Sequence, residues 1–133
     1  MQTRTVTGAA IALAIGLSGS LAEAQAQAQP GDAARGQRLF NQQCRACHTL
    51  DKGGASTTGP NLHGVFGRKA GTAPGFAFSE AMINSQIVWN DKTMSDYCAD
   101  PRNMVAGTSM VFNGVKNTGQ LADLVAYLKQ ATQ

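Results

Sequence analysis

The run of apolar and polar positions predicts three main helices joined by long loops. Leu121, Leu124, Val125 and Leu128 recur at the 3.6-residue period of a half-buried helix, with Tyr127 beside the stripe. That helix is expected over about Gln120 to Gln130, and Asn117 with Gln120 three residues later makes a capping box. Asp32 can cap a first helix from Ala33 to about Gln43, with Leu39 and Phe40 as its apolar contacts. Gly36 lies one turn before Phe40. A glycine inside a helix costs about 1 kcal/mol relative to alanine, and close approach of a second backbone is its usual compensation; the last helix is the expected neighbour. A middle helix starts near Asn90 or Asp91 and stops before Pro101, and a short one fits Ser79 to Ser85. No strand pattern stands out, so the class is all-α. Between His48 and Ser79 the chain is glycine-rich loop, and a loop of that length calls for something to wrap around.

Residues 1–28 follow another logic. Arg4 provides a positive start, Gly8 to Ala22 is a run of small and aliphatic residues, and small-x-small sites follow at Ala22-Glu23-Ala24, Ala24-Gln25-Ala26 and Ala26-Gln27-Ala28. This is the pattern of a cleaved secretory signal peptide, with the cut between 24 and 28. The alternative is an uncleaved anchor. Residues 29–133 then form one small domain outside the inner membrane, in the periplasm. Composition sharpens the expectation, because Leu, Ile, Val and Phe supply only 19 of these 105 residues. So sparse an apolar set can scarcely build a core alone. A buried cofactor would complete it.

Cys44-Arg45-Ala46-Cys47-His48 names that cofactor. Two thiols one turn apart can add across the two vinyl groups of a porphyrin edge, and the following imidazole falls under the iron, which is the arrangement of a covalently attached c-type haem. A redox dithiol does not need the histidine, and a zinc site lacks a second ligand pair at suitable spacing. The sixth iron ligand is open on spacing alone. His63 and the methionines Met82, Met94, Met104 and Met110 are candidates, and Met110 is favoured because Gly107-Thr108-Ser109-Met110 is a flexible stretch beyond the Pro101 helix stop. Cys98 is the odd cysteine, read as a small buried apolar residue, with an intermolecular disulfide or thiolate ligation as alternatives.

From Gly31 onward the chain resembles class I cytochrome c, the mitochondrial and bacterial electron carrier. The resemblance rests on Gly31, Asp32, Gly36 and Phe40, the haem site, Gly59-Pro60-Asn61-Leu62-His63-Gly64-Val65-Phe66-Gly67-Arg68, then Trp89, Tyr97, Pro101, Gly107-Thr108 and Met110, and Leu124 to Leu128. It implies one haem c held by Cys44 and Cys47 with His48 and Met110 as axial ligands. It further implies that the Pro60 carbonyl accepts the His48 ring N–H, that Arg68 and Trp89 meet a haem propionate, and that Tyr97 hydrogen-bonds near the Met110 sulfur. His63 becomes a loop residue. The chain also departs from the family. Phe76 and Phe78 stand where tyrosines are usual, Met82 where asparagine is usual, and Ala106 replaces a proline ahead of the Met110 loop, which softens that loop.

The expected function is therefore a soluble single-haem carrier of one electron, and not an enzyme. Its partners would be membrane redox complexes, oxidases or periplasmic dehydrogenases, with at most peripheral membrane contact, and the protein would be a monomer. The alternatives are a haem subunit of a larger periplasmic dehydrogenase, or a ligand-binding or peroxidase-like haem protein. A net charge of +3 spread over scattered single basic residues does not indicate nucleic-acid binding. Gln43 and Ser109 occupy positions where the family commonly has lysines, so steering by charge should be weak.

Overall fold

The computed structural model describes residues 29–133; the signal-peptide reading of residues 1–28 lies outside the described residues. Asp32 caps α1, Ala33–Gln43, by accepting from the Arg35 amide. The last helix, α5, spans Thr118–Ala131. It begins before Gln120 because Asn117 is its N-cap, accepting from the Gln120 amide at 2.9 Å. Only this half of the expected capping box forms; the Gln120 side chain returns no bond among the described residues. Between them lie α2, Glu80–Asn84, capped by Ser79, and α3, Asp91–Ala99, with a full capping box between Asn90 and Thr93. Pro101 does end α3, but it also starts a further turn, α4, Pro101–Met104. Proline suits that first position, where no intrahelical N–H bond is required and its fixed φ is already helical. Asp100 serves both ends, as C-cap of α3 and N-cap of α4. Among the described residues there is no strand, only an isolated bridge between Lys69 and Val88.

α1 and α5 cross at glycine. A Cβ on Gly36 would lie 2.0 Å from the Asp123 carbonyl oxygen and 2.8 Å from the Tyr127 Cβ. The glycine expected to allow close helix approach therefore does so, and Phe40 packs its ring 5.7 Å from that of Tyr127 just below. The crossing also contains what the apolar stripe concealed. Asp123, between Leu121 and Leu124, is buried at 6% exposure. Its carboxylate accepts from the Asp32 amide at 2.7 Å and from Arg35 Nε and Nη2 at 2.7 and 2.9 Å. The Arg35 hydrogen bond first, and then the amide, hold its pKa below the usual carboxylate value. Leu39, Phe40, Trp89, Met94, Tyr97, Cys98, Leu121, Leu124, Val125 and Leu128 belong to one buried apolar cluster. No helix among the described residues is long and apolar enough to cross a membrane.

Candidate functional site

Beside that core is a cavity of about 210 Å³, lined in part by Phe40, Trp89, Met94, Tyr97, Leu124 and Leu128. Cys44, Cys47, His48, Pro60, Arg68, Trp89, Tyr97 and Met110, far apart in sequence, all line it. Met82 and Met94 line it as well; His63 and Met104 do not.

The Cys44–His48 segment is shaped by the end of α1. The Cys44 amide still bonds to the Phe40 carbonyl, and the amides of Cys47 and His48 both turn back to the Cys44 carbonyl at 3.0 Å. Both thiols and the imidazole are thus carried on one short turn. Burial pushes the Cys44 thiol up to about 11, with Cys47 adding to the shift. Burial also lowers the His48 pKa, against the opposing bond to Pro60. His48 Nδ1 donates to the Pro60 carbonyl at 2.8 Å, which leaves Nε2 as the free lone pair. Gly59 makes this possible in a way the sequence motif did not reveal: a Cβ there would meet His48 Cε1 at 2.5 Å. Its amide and the Thr57 hydroxyl both bond to the Cys47 carbonyl, at 2.9 and 3.0 Å, so the loop is fastened to the same turn.

The segment carrying Met110 is held from α3. The Tyr97 hydroxyl was expected near the Met110 sulfur. It meets the Thr108 hydroxyl at 2.6 Å, and Thr108 Oγ1 accepts from the Met110 amide at 3.3 Å. Thr108 was quoted in the sequence only as part of a motif, and its linking role became legible only once α3 faced the loop. Cys98 is buried and lines the cavity, and burial first, then Cys44, pushes its thiol up to about 12. The apolar reading of Cys98 agrees with that setting.

The cavity lining is mostly apolar and contains no carboxylate; its cations are Arg68 and Lys69. Arg68 is half-buried, its pKa lowered by desolvation, and its Nη1 donates to the His63 carbonyl at 2.9 Å. It makes no ion pair among the described residues. The Trp89 indole likewise has no protein acceptor among them, although the ring is only 8% exposed. A flat apolar molecule carrying carboxylates at one edge fits these walls: apolar faces, two free thiols, an imidazole and a thioether, and unanswered donors.

A family model for cytochrome c matches residues 33–132. The chain belongs to the cytochrome c family. Cytochrome c from Sesamum indicum is 46% identical over 105 residues, covering 79% of this chain and 95% of that protein. The Chlamydomonas reinhardtii cytochrome c is 47% identical over 105 residues, covering 79% and 94% respectively, and that of Ginkgo biloba is 44% identical, covering 79% and 93%. As a cytochrome c, the chain carries one covalent haem c and is an electron-transfer protein that works with redox partners, not an enzyme. The resemblance read from its motifs and the small all-α fold agree with this family.

Proposed function

We propose that this cytochrome c is an exported, periplasmic shuttle that moves one electron between membrane redox complexes or periplasmic oxidoreductases. The observation that carries the reading is the single cavity shared by Cys44, Cys47, His48 and Met110. Export is supported by the signal-like residues 1–28.

In this reading Cys44 and Cys47 would hold the haem by thioether bonds, and His48 Nε2 and the Met110 sulfur would be the groups that hold its iron. Bound haem supplies an iron that stores and releases one electron, and a His/Met pair favours the ferrous form more than two histidines would. The protein's own groups do the rest. Pro60 fixes the imidazole through Nδ1. Thr108, anchored by Tyr97, holds the backbone of the Met110 segment. Arg68 and the Trp89 indole would donate to the haem carboxylates. Phe40, Leu124 and Leu128 keep water from the apolar faces. With His48 and Met110 both committed to the iron, no position would remain there for a substrate, and the protein would need little rearrangement on electron transfer.

Two measurements test this. The ferric holoprotein should show a sulfur-to-iron charge-transfer band that disappears in Met110→Ala; a band that survives unchanged removes Met110 as ligand. Cell fractionation and mass determination of the mature N-terminus should find the protein in the periplasm, cut between 24 and 28; a full-length cytoplasmic chain overturns the export reading.

A further inference from the structure

Asn113-Gly114 is the one asparagine–glycine pair in the sequence, and the fold imposes its second member. A Cβ on Gly114 would lie 2.0 Å from the Ala99 carbonyl oxygen, and φ there is +87°. Only glycine meets both conditions. Asn113 is exposed, and neither its side chain nor the Gly114 amide has a protein hydrogen-bond partner among the described residues. Asparagine is a thermolabile residue, and here its carboxamide stands beside a free backbone nitrogen with no side chain to crowd the approach. The other six asparagines are committed. Asn61 donates to Thr49 Oγ1 and the Asp51 carbonyl and accepts from the His63 amide. Asn90 and Asn117 are helix caps, accepting from the Thr93 and Gln120 amides at 2.9 Å. Asn41 is inside α1, so the amide that follows it belongs to the helix. The Met104 amide, after Asn103, bonds to the Asp100 carbonyl at 3.1 Å, and the Ser85 amide, after Asn84, to the Met82 carbonyl at 3.3 Å. Each of these bonds must break before the same chemistry can begin.

We propose that Asn113 is a self-modifying site whose reagent is water, and that its isoaspartate product loosens the segment carrying Met110. The second part rests on the reading above in which Met110 is an iron ligand. The Gly114 nitrogen, having given its proton to hydroxide, attacks Asn113 Cγ. A C–N bond forms, the side-chain nitrogen leaves as ammonia, and a cyclic imide closes. Water then opens the imide at either carbonyl. One opening restores the backbone as aspartate; the other routes the chain through the former side chain as isoaspartate. Nothing is oxidised or reduced: asparagine and water become an acid and ammonia. Both products carry a new negative charge, but only isoaspartate lengthens the main chain, by one methylene or about 1.5 Å. That length enters a span held at both ends by α3. Upstream, the Tyr97 hydroxyl meets Thr108, which accepts from the Met110 amide. Downstream, the Val115 amide bonds to the Cys98 carbonyl at 2.8 Å, and Lys116 Nζ to the Ala99 carbonyl at 2.7 Å. With Gly114 packed on Ala99, the added methylene has to be taken up by residues 110–113.

The test is timed incubation of the full ferric holoprotein in mildly alkaline buffer. Samples are taken for intact mass, for peptide mapping with an isoaspartate-specific methyltransferase, and for the sulfur-to-iron charge-transfer band. The mass should rise by about one dalton, faster as hydroxide increases, and the gain should map to Asn113 before any other asparagine. Asn113→Gln, whose carboxamide is one methylene further from the Gly114 nitrogen, should abolish the gain. Cation exchange should separate the products. The band should weaken in the isoaspartate fraction and persist in Asn113→Asp, which adds the charge without the methylene. No mass gain, or a gain that appears first at another asparagine, overturns the proposal. An isoaspartate fraction with an undiminished band overturns the claim for the Met110 segment. A band missing from the freshly purified protein overturns Met110 as a ligand instead, and the mass gain at Asn113 is read independently of it, so the two failures are distinguishable.

Discussion

Gly36→Ala separates two opposing effects at the α1–α5 crossing. Judged by helix propensity alone, the substitution should stabilise α1 by about 1 kcal/mol. The tertiary structure predicts the opposite. The new Cβ would sit 2.0 Å from the Asp123 carbonyl oxygen and 2.6 Å from its carbon, where contacts under 3.0 Å essentially never occur. The obstacle is backbone, so no side-chain rotation relieves it, and the helices must part locally by at least about 1 Å. Overpacking costs about 1–3 kcal/mol even where neighbours can yield. Parting the helices also stretches the bonds from Arg35 and the Asp32 amide to Asp123, so the upper part of that range applies. After the helical gain, a net loss of about 2 kcal/mol remains, equivalent to a fall in Tm of about 8 °C or more for a domain of this size. Guanidinium unfolding of the holoprotein, followed by circular dichroism, measures it. Gly119→Ala is the control: it lies in the first turn of α5 with Asn117 Oδ1, a side-chain atom, as its nearest contact at 3.2 Å, and should be neutral or stabilising by up to about 1 kcal/mol. A Gly36→Ala protein as stable as the wild type would refute the close-approach argument.

Further outcomes follow from other parts of the same structure. Gly59→Ala pushes on His48 Cε1 and Nδ1 and should displace the imidazole from the Pro60 carbonyl, shifting the midpoint potential and the ferric spectrum; an unchanged potential would mean that the ring does not depend on this contact. Asp123 has a folded pKa depressed mainly by Arg35. Its contribution is therefore complete above the unfolded value of about 3.9 and is lost as pH falls through the lower folded value. Wild type should lose stability more steeply in acid than Asp123→Asn, and equal acid slopes would contradict this. A chain made without haem attachment must leave open or collapse a cavity of about 210 Å³, which at about 24 cal/mol per Å³ costs about 5 kcal/mol, comparable to the whole stability of a small domain. Far-UV circular dichroism should find such apoprotein largely unfolded, and a cooperative melt would count against that reasoning.

The helices were legible because their signals are local. Asp32, Ser79, Asn90 and Asn117 are caps whose side chains act within one turn, and the stripe from Leu121 to Leu128 has a period that only a helix satisfies. The C-x-x-C-H segment was legible for the same reason, since attachment chemistry needs its three reactive groups on one turn. Pro101 was half-legible. Its ring forbids continuation of α3, but whether the chain then loops or starts α4 depends on Asp100 turning to cap the new helix.

What the sequence by itself determined is the class of chain and its reactive turn: helix positions, a deficient apolar core, and two thiols with an imidazole. All of these are set by near neighbours. Only the tertiary structure decided which distant groups face one another. Gly59 against the His48 ring, Tyr97 on the Thr108 hydroxyl, and Asp123 buried under Arg35 join residues 11, 11 and 88 positions apart. No periodicity encodes such pairings, because they arise where α1 and α5 cross and where two loops close over one cavity.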